Sequence, residues 1–203
     1  MRVTLMAMCL AGAVQADEAP MRAQEQLRLD GFQASAGKAL LQALSAGTLG
    51  DVDQLQEALA GAPLPPLATT LAGEWDCRTF KLGGIATLTV YAQFKCVFEP
   101  DGTAFTFEKL TGSQRTMGLV TMQDRTMIYL GVGYVADELP MAYADLPPED
   151  FGDGVYQPQV GIVGQTGPNT ARILFPAPIN GSDFDLLYLT RSDNAQIFQP
   201  NGD

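Results

Sequence analysis

The sequence predicts a mainly β protein: an eight-stranded antiparallel up-and-down barrel preceded by a short N-terminal helical segment. Three observations carry that expectation. Residues 20–60 are rich in Ala, Leu and Gln, and their apolar residues recur at spacings of three and four. A stiff segment, APLPP at 62–66, then disfavours both helix and sheet. From Leu67 onward, eight strand-like stretches of seven to thirteen residues alternate with turn signals, nearly all at hairpin spacing. Strands joined in this way are antiparallel, and eight of them can close into a barrel that has no exposed edge. A two-sheet sandwich is the competing architecture, because strand count alone does not separate the two.

Taken in order, Leu40, Leu41 and Leu44 share a helical stripe that Gly47 ends. A second helix starts at Asp51, an N-cap residue type, carries Leu55 and Leu59, and stops at Gly61. The strands are GEWDCRTFKL (73–82), TLTVYAQFKCVFE (87–99), TAFTFEKL (103–110), SQRTMGLVTM (113–122), RTMIYLGVGYV (125–135), VYQPQVGIVG (155–164), TARILFP (170–176) and DFDLLYLTR (183–191). Pro100-Asp101-Gly102, Gly167-Pro168-Asn169 and Asn180-Gly181 are turn signals, and a long acidic loop occupies 137–153. The organisation expected is a signal peptide (1–16), a helical segment with its Pro-rich linker (17–66), a barrel domain (67–191) and a flexible tail (192–203).

The first sixteen residues read as an export signal: Arg2, an apolar run from Val3 to Val14, and small residues at Ala13 and Ala16. That run is too short to span a bilayer, which takes about 20 residues. Export places the chain in the periplasm or outside the cell, with no integral membrane segment after cleavage. It also leaves two cysteines, Cys77 and Cys96, for which a disulfide is the simplest reading in an oxidising compartment. A free reactive thiol pair is the rival, without a Cys-x-x-Cys spacing to support it. The formal net charge of −11 disfavours nucleic acid and anionic lipid as partners. Histidine is absent, which removes the usual general base, the Ser-His and Cys-His pairs and most zinc sites.

Strand alternation puts Trp75, Cys77, Thr79 and Lys81 on one face of the first strand. In the second strand Leu88, Val90, Ala92, Phe94, Cys96 and Phe98 share a face. Direct opposition of Cys77 and Cys96 would pair Trp75 with Phe98, Thr79 with Phe94 and Lys81 with Ala92. Gly83-Gly84 then lets the chain bend away from the strand.

Gly73-Glu74-Trp75 at the start of the first of eight strands resembles the Gly-x-Trp signature of lipocalins and their calycin relatives. The resemblance implies that Trp75 plugs one end of the barrel and that Arg191, after the last strand, packs across it. The spaced set W-x-C-R-x-x-K-x-G (75–83), F-x-C (94–96) and K-x-T-G-S-Q-R (109–115) resembles an exported bacterial family catalogued as domain of unknown function 4893. That likeness covers roughly residues 20–191, implies a periplasmic protein and supplies no activity.

The candidate ligand-binding residues are Lys81, Lys109, Arg115 and Tyr129. Lys81 shares the face of Trp75, so an inward-facing first strand brings its ammonium to a cavity or its rim. Lys109 and Arg115 flank a polar turn and can join it in holding an anion, Arg115 by a bidentate fork. The competing reading pairs these cations with Glu74, Asp76 and Glu108 at the barrel mouth, where such pairs contribute little. Tyr129 and the other aromatic residues are core first, in a barrel either filled by side chains or holding one small ligand. The acidic loop matches no EF-hand spacing, and no metal or cofactor is expected. No spacing selects a catalytic carboxylate pair or a Ser113–Lys109 dyad. The expectation is a periplasmic, non-enzymatic binding protein for a small acidic or amphiphilic ligand. Its alternative is an envelope protein-interaction module with a filled barrel.

Overall fold

A computed structural model describes residues 20–66, 69–147 and 155–192. Three helices, α1 (Ala23–Asp30), α2 (Phe32–Ala46) and α3 (Leu49–Leu59), precede eight strands. These are β1 (Gly73–Leu82), β2 (Leu88–Asp101), β3 (Ala104–Lys109), β4 (Gln114–Gln123), β5 (Thr126–Val135), β6 (Tyr156–Gly167), β7 (Thr170–Pro176) and β8 (Phe184–Arg191). Each strand pairs antiparallel with the next, and β8 returns to β1, closing the barrel in chain order. The up-and-down barrel, rather than the sandwich, is therefore the architecture. The proposed signal peptide lies outside the described residues, as do residues 148–154 of the acidic loop and the tail beyond Ser192.

The helical segment lies against the outside of the barrel. Ala39 and Ala43 of α2 and Leu55 and Ala58 of α3 are buried against Phe80, Leu82, Leu88, Phe184 and Leu186. Of the expected stripe on α2, Leu40 packs against this cluster, whereas Leu41 is 73% and Leu44 52% exposed, which corrects those two. At Ala39 the helix comes close to the β1–β2 turn, where a Cβ on Gly83 would stand 3.2 Å from the Ala39 Cα, and Phe32, Ala36 and Leu40 pack beside it. Helix α3 starts earlier than Asp51. Thr48 is its N-cap, its hydroxyl accepting from the Asp51 backbone N–H at 3.2 Å and donating to the Asp51 carboxylate at 2.8 Å.

The β1–β2 hairpin corrects the expected register. Trp75 pairs with Cys96 and Cys77 with Phe94, so the cysteines are diagonal neighbours rather than directly opposed. They are nonetheless bridged, with Cα atoms 6.0 Å apart, well within disulfide reach. Two local features set this register. The hairpin closes with Leu82 opposite Leu88, the chain turning through Gly83 at φ +74° and bonding Gly83 N–H to the Thr87 carbonyl. Further along, Arg78 pairs with Gln93 but Phe80 with Val90, which inserts one extra residue into β2. That bulge switches the faces of β2. Phe94, Cys96 and Phe98 point into the barrel, whereas Leu88 and Val90, expected beside them, pack outward under the helices.

The barrel interior is filled at the end where β1 begins. Trp75, Phe98, Phe107 and Tyr129 are fully buried there with Ile173 and Leu189. Their rings meet mostly edge to face, Trp75–Phe98 at 6.3 Å and Phe107–Tyr129 at 5.7 Å between centroids. Arg191, paired with Trp75 across β1 and β8, lays its guanidinium 3.9 Å from the indole centroid. It also donates to the carbonyls of Ala72 and Thr70, tying the entering chain across the barrel end.

Candidate functional site

Toward the opposite end, the inward-facing residues change from apolar to polar, and the barrel is hollow. Thr79, Lys81, Lys109, Thr116, Gln159 and Asp185 occupy inward positions above the aromatic layer and line a cavity of about 520 Å³. Gly131 and Gly133 stand inward on β5, leaving room for the Tyr129 hydroxyl and the Gln159 amide to lie over them. Phe94, Phe175 and Leu187 supply apolar wall, and the cavity reaches the β1–β2 and β7–β8 connections at Ile85 and Ile179. Apolar floor, polar walls and this volume fall in the range of small-molecule sites.

Among the described residues four cations border the cavity: Lys81, Lys109, Arg115 and, from α1, Arg28. Lys81 is held by Asp185, its cross-strand partner on β8, at 2.8 Å. Ser182 donates to the other carboxylate oxygen at 2.5 Å. Burial raises the Asp185 pKa, with Lys81 and Ser182 opposing that rise. Lys81 thus reaches the cavity as half of an ion pair, with an acid other than those expected. Arg28 is likewise paired, to buried Glu25 at 2.7 Å, and donates to the Pro158 carbonyl.

Lys109 differs. Its ammonium is buried and donates to the carbonyls of Thr111 at 3.1 Å and Gln114 at 2.5 Å. It sits 3.8 Å from the centroid of Phe94, and among the described residues it makes no ion pair with a carboxylate. Burial first, and the neighbouring Arg115 second, lower its pKa to about 8. The chain wraps around this ammonium at Gly112 (φ +95°), where a Cβ would stand 2.9 Å from the lysine nitrogen and 2.8 Å from the Phe94 ring. The K-x-T-G-S-Q stretch is therefore a loop folded around its own lysine. Arg115 follows at the rim, paired with Tyr134 across β4 and β5, and its Nε is buried without a hydrogen-bond partner.

Tyr129 lies below the cavity rather than on its wall. Fully buried, it shares a hydrogen bond with Thr116 at 2.5 Å, and Thr116 reaches Gln159 at 2.6 Å. Burial raises the phenol pKa far above its ordinary range. The structure thus brings Lys81, Lys109 and Arg115 to one cavity and sets Tyr129 beneath it as the floor's polar anchor. Sequence reasoning missed Asp185, Thr116 and Gln159. Asp185 was detectable, since alternation in FDLLYLTR puts it on the face of Leu187 and Leu189. Thr116 and Gln159 carry no such signal, because a neutral polar residue in a strand reads equally well as exposed. Among the described residues no group of His, Cys, Asp or Glu is arranged to hold a metal, and no helix is long and apolar enough to cross a membrane.

These features define a class: a closed antiparallel barrel, sealed at one end and hollow and cation-lined toward the other. The chain belongs to the family described as Domain of unknown function (DUF4893), whose model matches residues 18–189. Comparison with curated proteins finds no match.

Proposed function

We propose that the protein is a periplasmic or secreted, lipocalin-like binding protein for a small amphiphile bearing a carboxylate or similar anion. One observation carries this reading: Lys109 and Arg115 border the cavity with hydrogen-bonding capacity in excess of their partners, and neither makes an ion pair among the described residues. In a chain of net charge −11, a cationic cavity with an aromatic floor suits an apolar tail with an acidic head. The disulfide and the apolar N-terminal run support export.

Calorimetric titration with decanoate and with decanol tests the reading. Decanoate should bind about tenfold more tightly than decanol, and Arg115→Met should remove most of that difference. Equal affinities for acid and alcohol, or no binding of either, would refute it. A second reading, a surface for an envelope protein, is favoured by the exposed Leu41 and Leu44 on α2. Decanoate binding that is unchanged by Leu41→Glu would separate the two surfaces.

A further inference from the structure

We propose that Lys109 is a reactive amine, poised to condense with an aldehyde or ketone that enters the barrel cavity. The chain has four lysines, and all of them lie among the described residues. Lys38 is bound to Asp183, Lys81 to Asp185 and Lys95 to Asp76, each ammonium fixed by a carboxylate. Lys109 instead donates to neutral acceptors, the Thr111 and Gln114 carbonyls, and makes no ion pair among the described residues. An ammonium has three N–H donors and a neutral amine has two. Two carbonyl acceptors therefore match the neutral amine one for one, and loss of the third proton breaks no hydrogen bond. The third N–H of the charged form lies on the side of the Phe94 ring, which itself lines the cavity.

Burial and an adjacent cation are the two environments that activate a lysine as a nucleophile, and both are present here. Burial disfavours the charged form, and Arg115 opposes it from the next strand. The other titratable or charged groups bordering the cavity are the Lys81–Asp185 pair, Arg28, Tyr91 and Tyr134, with Glu108 bonded to Tyr134. At pH 7 a group with a pKa of about 8 is roughly one-tenth neutral, against about three in ten thousand at the ordinary lysine value of 10.5.

The reaction balances without a further reagent. The amine lone pair attacks the carbonyl carbon, giving a carbinolamine. The two amine protons then leave with the former carbonyl oxygen as water, and a carbon–nitrogen double bond remains. The inference shares the cavity with the binding proposal but does not need an anionic ligand, so its test uses a neutral probe.

Full-length protein is incubated with hexanal and sodium cyanoborohydride at pH 7, and alkylated peptides are quantified by mass spectrometry. Hydride reduction makes each imine a stable secondary amine. Lys109 should be labelled at least about tenfold faster than Lys38, although Lys38 is exposed. Its rate should rise to a plateau above pH 8, whereas that of Lys38 should climb past pH 10. The Lys109→Arg variant, which keeps charge and ring contact, should lose the fast site and retain the melting temperature to within a few degrees. Labelling that follows solvent exposure, with Lys38 and Lys95 ahead of Lys109, overturns the proposal. Because hexanal has no charge, that result would stand apart from any outcome with decanoate.

Discussion

Arg191 shows how much one side chain can hold at a barrel end. It stacks on Trp75 and bonds the carbonyls of Ala72 and Thr70, so Arg191→Ala should cost about 2 kcal/mol in urea unfolding. Lysine there should recover only part of that, lacking the planar fork. Lys109 gives a pH signature. Its folded pKa, about 8, lies below the unfolded value of 10.5, so between them the unfolded chain binds more protons. Stability relative to Lys109→Met should therefore rise as pH increases from 8 to 10.5, measured by urea midpoints; a falling difference would contradict the burial argument. Trp75 and Arg191 were legible in the sequence because their positions at the two ends of the strand set fix their meeting. The Lys81–Asp185 contact was not, since it depends on which residues meet across the β1–β8 seam. Sequence order separates those two strands by the whole barrel.

Strand boundaries followed from turn chemistry, and β1 and β7 match their expected limits residue for residue. The β2 face assignment failed at one bulge, which carries no glycine and leaves no mark in the alternation. The effect was large, because it sends Leu88 and Val90 to the helices and leaves Phe94 and Cys96 in the barrel. On helix α2 leucine periodicity finds Leu40 but places Leu41 and Leu44 on the wrong side, because the residues that meet the sheet most closely are Ala39 and Ala43. Ala39→Leu should therefore destabilise by about 1–3 kcal/mol through overpacking. Leu41→Ala, on the exposed side, should stay within about 0.5 kcal/mol. Thermal unfolding of the two variants distinguishes the observed face from the leucine stripe.

Across the whole molecule, a disulfide, an Arg–Trp closure and a helical layer stabilise the closed end and one flank, while the opposite end is hollow. The Cys77–Cys96 bridge has a sequence separation of 19, so replacing both residues with alanine should cost about 3 kcal/mol by loop entropy, read from urea unfolding. The barrel class was legible because eight short strands with hairpin connections admit few closed topologies. Its hollowness was not, because it depends on inward glycines and on side-chain directions at the upper layer. A small acidic molecule held in this cavity, as proposed above, would travel with the protein. Native mass spectrometry of the protein isolated from the cells that make it would detect that molecule. The expected spectrum shows a chain carrying one small molecule, released on collisional activation and absent from a Lys109→Met, Arg115→Met double variant. Only the bare chain, or the same adduct on the double variant, would contradict it.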